Sequence, residues 1–143
     1  PEPNALGDLV GRMDKVLVDA PCTGTGTWRR HPDTKWRLSE DQLKKRTAEQ
    51  AAILADAGRF LKPGGELVYV TCSILPEENG IQIQQLVANT GIYLPVDMRN
   101  RWVAAFSSDE LARHADEHGV TLSPLSTGTD GFFVSVLTKK DAT

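Results

Sequence analysis

The chain has only two cysteines, Cys22 and Cys72, too few for a disulfide framework and too far apart for a zinc knuckle. Taken alone, they read as small buried residues of a reducing, cytoplasmic protein. No apolar run approaches the roughly 20 residues that a membrane-spanning helix needs. The opening Pro1-Glu2-Pro3-Asn4 has neither the basic start nor the apolar centre of a secretory leader. It also lacks an initiator methionine, which suggests a piece of a longer protein. Basic excess is missing too: 16 Lys and Arg against 19 Asp and Glu leave a net charge of −3 and a pI near 5.6. A chain that held nucleic acid by bulk charge would be basic. Any RNA contact must therefore come from a local patch or from another part of the protein. What remains, 40% hydrophobic and 24% charged over 143 residues, suits one globular domain with its own core. There are no repeats and no low-complexity segment.

Hydrophobic patterning gives an α/β order. Lys15-Val16-Leu17-Val18 reads as a buried strand ending in Asp19-Ala20-Pro21. Residues 22–38, rich in Gly, Thr, Pro and Arg, read as a long loop. Ser39 opens a helix, with Gln42 at the capping-box spacing. Leu43, Thr47, Ala51, Leu54, Gly58 and Leu61 form its apolar stripe, and Pro63-Gly64-Gly65 stops it. Glu66 to Cys72 is a second buried strand. Pro76-Glu77-Glu78 reads as an acidic helix start, Ile83, Leu86 and Val87 as the apolar face, and Asn89-Thr90-Gly91 as the end. A shorter helix is expected from Ser107 to Gly119. Val120–Leu125 and Phe132–Leu137 are expected to form an antiparallel hairpin across Ser126–Gly131. Strands alternating with helices imply a parallel sheet. Two parallel strands plus a hairpin would leave one apolar edge unpaired, so strands preceding the chain are expected. Such an edge also offers a route to self-association.

Ligands of open α/β sheets bind outside the carboxyl ends of the strands. Cys22 follows the first strand and Cys72 ends the second, and neighbouring strands lie about 5 Å apart. The two thiols should therefore face one crevice. Asp19 at the same edge is either a turn cap or a ligand-facing carboxylate. His114 and His118, four apart, lack a third ligand and read as a solvated helix face rather than a metal site. The loop from Trp28 to Arg37 mixes cations with aromatics, which suits phosphate contacts and base stacking. Arg29, Arg30 and Lys35 are its RNA-facing candidates, and Trp36 is expected in the core. Gly24 and Gly26 lack the Lys-Ser/Thr ending of a phosphate loop. They read instead as a tight backbone path beside a bound base.

Asp19-Ala20-Pro21-Cys22-Thr23-Gly24-Thr25-Gly26, followed by Arg29-Arg30-His31-Pro32-Asp33 and Lys35-Trp36, resembles the fourth motif of the Nop/Sun family of RNA 5-methylcytosine methyltransferases. Thr71-Cys72-Ser73 with Glu78-Asn79 resembles that family's sixth motif. Lys62-Pro63-Gly64-Gly65 and Thr129-Asp130-Gly131-Phe132-Phe133 are also similar to its pattern. The resemblance runs from about Lys15 to Leu137 and is strongest with the bacterial ribosomal-RNA enzymes, which implies 16S ribosomal RNA as substrate. Residues 97–119 match poorly. The resemblance implies the C-terminal half of a Rossmann-like, S-adenosylmethionine-dependent methyltransferase fold. It makes Cys72 the nucleophile at cytosine C6, and Cys22 the residue that assists product release. Asp19 would line the cofactor pocket and reach toward the base, with Pro21 fixing the turn that presents Cys22. The family's Gly-rich strand turn and the acidic ends of the next two strands are not in the chain. The S-adenosylmethionine site is thus expected to be incomplete and the chain alone inactive. Two other readings stay open: a non-catalytic RNA- or ribosome-binding fragment, and a dithiol redox protein.

Overall fold

A computed structural model of the chain describes residues 6–106 and 114–141. Its centre is one mixed sheet. Strands β1 (Met13–Asp19) and β2 (Leu61–Thr71) run parallel, and β5 (Phe132–Lys139) lies antiparallel on the other side of β2. Two short strands share the far side of β5: β3 (Tyr93–Pro95) pairs with its last residues and β4 (Val120–Leu122) with its first. Helix α1 (Glu40–Ala57) makes the crossover between the parallel strands. Helices α2 (Gly80–Thr90) and α3 (Met98–Phe106) follow β2 and β3.

Successive strand residues face opposite sides of the sheet, and two clusters result. Leu67, Tyr69, Phe133 and Leu137 pack with Leu54 and Ala57 of α1 and Ile83 and Leu86 of α2. Val136 joins Met98, Ala115 and Val120 in the second cluster, with Val68, Val134 and Trp102 packed against it. Among the described residues β1 pairs only with β2. Leu17 on that edge is 66% exposed. An apolar cavity of about 670 Å³, lined by Leu9, Val16, Leu17, Ile53 and Phe60 among others, lies against it.

Several expectations need correction. Helix α1 starts at the Ser39–Gln42 capping box but ends at Ala57, and Leu61 already belongs to β2. The Lys139 ammonium reaches the carbonyls of Gly58 and Leu61 at 3.0 and 2.9 Å, just past the helix end and well before Pro63-Gly64-Gly65. That triplet instead lies where the β1–β2 register shifts, between Met13 and Lys15. The buried face of α1 is carried by Gln50, Leu54 and Ala57, whereas Ala51 is exposed. Pro76–Glu78 is a 3-10 turn, and α2 begins only at Gly80 because Glu78 is drawn into the interior. The loop at 22–38 contains two 3-10 turns, Thr25–Thr27 and Pro32–Arg37. The terminal hairpin is present, with β4 ending at Leu122 and Ser123 capping a helical turn at Pro124–Thr127. Residues 107–113 of the expected helix lie outside the described residues. Its end is not helical: Ala115 bridges Val120, and the Asp116 carboxylate accepts from the amides of His118 and Gly119. His114 and His118 therefore do not share a helix face. Strand β3 and helix α3 had no signal strong enough to be read from the sequence.

Candidate functional site

The site grows from the paired ends of β1 and β2. The Ala20 amide donates to the Val70 carbonyl at 3.0 Å, extending the pairing one residue past β1. Pro21 and Cys22 then leave the sheet beside Thr71 and Cys72. The two thiol sulfurs lie 3.3 Å apart, a hydrogen-bonding contact between half-buried groups. Gly24 turns the chain with φ +70°, a conformation that favours glycine. Gly26 then inserts between Cys72 and the start of β5. Its amide donates to the Cys72 carbonyl at 2.9 Å, and its own carbonyl accepts from Gly131 N–H at 2.8 Å. A Cβ on Gly26 would lie 2.1 Å from the Gly131 carbonyl oxygen. The glycine expected beside a base is thus a backbone-to-backbone packing position.

Beneath the thiols lies a polar network in which the buried groups find partners, apart from the Gln50 side-chain oxygen. Glu78 is fully buried. Its carboxylate accepts from the Thr23 amide at 2.8 Å, the Thr23 hydroxyl at 2.5 Å and the Gln50 amide at 3.0 Å. Gln50, also fully buried, donates to the Pro21 carbonyl at 2.9 Å as well. The Tyr69 hydroxyl donates to the Glu78 main-chain carbonyl. On the β2 side, the Thr71 hydroxyl donates to Asn79 Oδ1, and Asn79 Nδ2 donates to the Ser73 carbonyl. Thr25 and Ser73 hydroxyls bond to each other, and Thr25 Oγ1 accepts from the Ile74 amide. Buried polar groups are costly unless satisfied, so this knot fixes both cysteine turns.

The thiols share one ionisation. Cys72 is lowered to about 7, chiefly because the Cys22 thiol donates to it; its own backbone amide adds to this. Burial and the negative charges of Asp19 and Glu78 oppose the shift. Cys22 is pushed up by the same hydrogen bond and by burial. A thiolate is the nucleophilic form of cysteine, and the directions of the two shifts favour it on Cys72. Asp19 is exposed at the end of β1, close enough for its charge to act on Cys72.

The basic loop is built differently from expectation. Trp36 is 81% exposed rather than in the core, with the Lys35 ammonium 5.1 Å from its ring centre. The aromatic ring therefore faces solvent, where a base could stack. Arg29 and Arg30 keep exposed side chains, but both pair with Asp130 just before β5, at 3.1 and 2.5 Å. Pro21 is exposed next to Cys22. Beside Cys22 and Thr23 opens a cavity of about 290 Å³, with Arg37, Lys45 and Arg46 in its wall. Among the described residues no three His, Cys, Asp or Glu side chains are grouped to hold a metal ion. No described helix is long and apolar enough to cross a membrane. Sequence reasoning missed Gln50, the burial of Glu78, and the pairing of Asp130 with Arg29 and Arg30. A polar residue interrupting the 43–47–54 stripe was the available signal for Gln50.

The chain is similar to known proteins in both sequence and fold. A family model described as 16S rRNA methyltransferase RsmB/F matches residues 3–138. The Ribosomal RNA small subunit methyltransferase B of Erwinia tasmaniensis is 36% identical over 129 residues, covering 90% of this chain and 27% of that protein. Its Pasteurella multocida counterpart is 37% identical over 134 residues, 94% of this chain and 28% of that one. The chain thus spans little more than a quarter of the length of these relatives. A methyltransferase homolog protein from Pyrococcus horikoshii has a similar structure, with a TM-score of 0.68, 31% identity, and 94% and 41% of the two chains covered. NSun6 from the same organism, solved with SFG, gives 0.65 at 23% identity over 88% and 30%, a likeness of fold. The mixed sheet and its helices are those of the Rossmann-like Sun/Nop methyltransferases.

Proposed function

The chain belongs to the 16S rRNA methyltransferase RsmB/F family, and from that premise we propose that it carries the thiols of an RNA cytosine-C5 methyltransferase. In this reading it is part of the catalytic domain of a longer protein, and Cys72 is the nucleophile. One observation carries the assignment: the 3.3 Å thiol contact at the carboxyl edge of the sheet, where the direction of the shifts favours the thiolate on Cys72.

Cytosine C5 is a weak carbon nucleophile. Addition of the Cys72 thiolate to C6 breaks the ring's conjugation and places electron density on C5. S-adenosylmethionine supplies the electrophilic methyl group when bound. Asp19 fits a role toward that cofactor or the cytosine amino group. It is an exposed carboxylate at the strand end that makes no hydrogen bond or ion pair among the described residues. Bonded to carbon, Cys72 carries no charge, so the largest cause of the raised Cys22 pKa disappears. Cys22 can then give its own proton to solvent and, as the thiolate, take the one on C5. Elimination of the Cys72 thiolate restores the ring. Pro21 sets the turn that presents Cys22. Arg29, Arg30, Lys35 and the exposed Trp36 ring offer phosphate and stacking contacts to RNA.

The test uses the full-length protein and small-subunit ribosomal RNA. Cys72→Ala should make no 5-methylcytosine, and Cys22→Ala should accumulate a covalent enzyme–RNA adduct seen as a gel shift. If Cys72→Ala traps the adduct instead, the two roles are reversed. The same thiol contact would suit a dithiol redox pair. An RNA adduct that depends on Cys72 separates the two readings, since redox cycling forms none.

A further inference from the structure

The buried carboxylate of Glu78 takes no part in the chemistry above, yet it is the most heavily bonded side chain near the thiols. It comes from the 3-10 turn after β2 and reaches across to the turn after β1. Two of its three donors belong to Thr23, the residue next to Cys22. The third, Gln50, also holds the carbonyl of Pro21, the residue on the other side of Cys22. Both neighbours of Cys22 are therefore anchored through one carboxylate, while Glu78 is itself tied to β2 by Tyr69.

We propose that Glu78 is a positioning residue: with Gln50 it clamps the backbone on both sides of Cys22, so that the Cys22 thiol stays within donating distance of Cys72. This rests on the reading of Cys72 as nucleophile, but the clamp is measurable without turnover. Two effects of Glu78 on Cys72 have opposite signs. Its negative charge disfavours the thiolate, whereas the Cys22 hydrogen bond that it maintains favours the thiolate more strongly. Removing a mere neighbouring charge would make Cys72 more acidic. Removing the clamp would make it less acidic.

The experiment is the pH dependence of Cys72 alkylation by iodoacetamide in the full-length protein, with the modified cysteine identified by mass spectrometry. Glu78→Ala should move the midpoint upward by about one pH unit. Glu78→Gln keeps an oxygen for the Thr23 amide and Gln50, and its amide nitrogen can donate to the Thr23 hydroxyl instead of accepting from it, so the clamp persists without the charge and the midpoint should stay or fall. Should Glu78→Ala not fold, Thr23→Val decides: it removes one clamp bond at a partly exposed site and should shift the midpoint up, with Thr23→Ser restoring it. In a Cys22→Ala background the upward shifts should vanish. The clamp is overturned if Glu78→Ala or Thr23→Val leaves the midpoint in place or lowers it, or if the shift persists without Cys22. A wild-type protein that makes 5-methylcytosine but fails this test keeps its function and loses the clamp. One that passes the test but methylates no cytosine does the reverse.

Discussion

Replacing Gly26 by alanine should unseat the contact that joins both cysteine turns to β5. The added Cβ would meet the Gly131 carbonyl oxygen at 2.1 Å, its carbon at 2.6 Å and its Cα at 2.7 Å, all backbone atoms. Ordinary van der Waals contact begins near 3.4 Å, so the two backbones must part by about 1.3 Å. The Gly131-to-Gly26 and Gly26-to-Cys72 hydrogen bonds, now 2.8 and 2.9 Å, cannot both survive that movement. Two backbone bonds at about 1 kcal/mol each, plus overpacking of about 1–3 kcal/mol, give a loss of roughly 3–5 kcal/mol. At about 2–4 °C per kcal/mol for a domain of this size, the melting temperature should fall by roughly 10 °C. Gly24→Ala is the control. Its positive φ costs about 1–2 kcal/mol, but its Cβ would find only Thr27 Oγ1 at 3.6 Å. Thermal unfolding followed by circular dichroism compares the two. The packing argument fails if Gly26→Ala melts within a degree or two of wild type, or above Gly24→Ala.

Two further outcomes follow from charge. Glu66 is held down to about 2, first by the Arg101 guanidinium bonded to both its oxygens at 2.5 and 3.0 Å and then by Lys15. A depressed carboxyl stabilises the fold above its ordinary 4.5, and the contribution is lost as pH falls from there through about 2. Partial solvent screening reduces it to about 1–2 kcal/mol, so Glu66→Gln should be that much less stable at neutral pH, with most of the deficit gone at pH 2. An equal deficit at both pH values, in denaturant titrations, would refute the assignment. Arg29, Arg30 and Lys35 are proposed RNA contacts, so each alanine variant of the full-length protein should weaken RNA binding. Each should also flatten the slope of log affinity against log salt by about 0.7–0.9. A slope unchanged in all three would leave the loop without a role in RNA binding.

Local patterning carried the frame of the fold. The Ser39 capping box, the two parallel strands and the terminal hairpin were legible because each is set by residues close in sequence. Strand β3 was not, since three residues with Pro95 among them carry no periodicity and exist as a strand only because β5 offers them an edge. One position of the α1 stripe was misread, while Leu54 was placed correctly. Ala51 suited the apolar stripe better than Gln50, and only the Pro21 carbonyl and Glu78 explain why a glutamine faces inward. Trp36 was misplaced for the converse reason. Its bulk suggests burial, but the turn at Pro32–Arg37 projects it outward. For the site, topology brought Cys22, Cys72 and Asp19 to one edge from the sequence alone. The knot that holds them depends on pairings between distant segments and had no local signature.

That knot bears on how the thiols can work. A ring carbon approaching Cys72 competes for the sulfur with the Cys22 thiol 3.3 Å away. With Pro21 and Thr23 anchored and Gly26 wedged against Gly131, the backbone of Cys22 has little freedom to retreat. Separation must therefore come from rotation of the Cys22 side chain, at the cost of about one hydrogen bond. In the proposed reaction that rotation has a chemical consequence. At rest the contact lowers the Cys72 pKa to about 7, which favours its ionisation. Once the pyrimidine displaces Cys22, the donor that lowered the Cys72 pKa is gone. Thiolate nucleophilicity rises with pKa, so the sulfur is most reactive when the ring reaches it. The paired cysteines thus separate two requirements that a single thiol must trade against each other, being ionised beforehand and being strongly nucleophilic at attack.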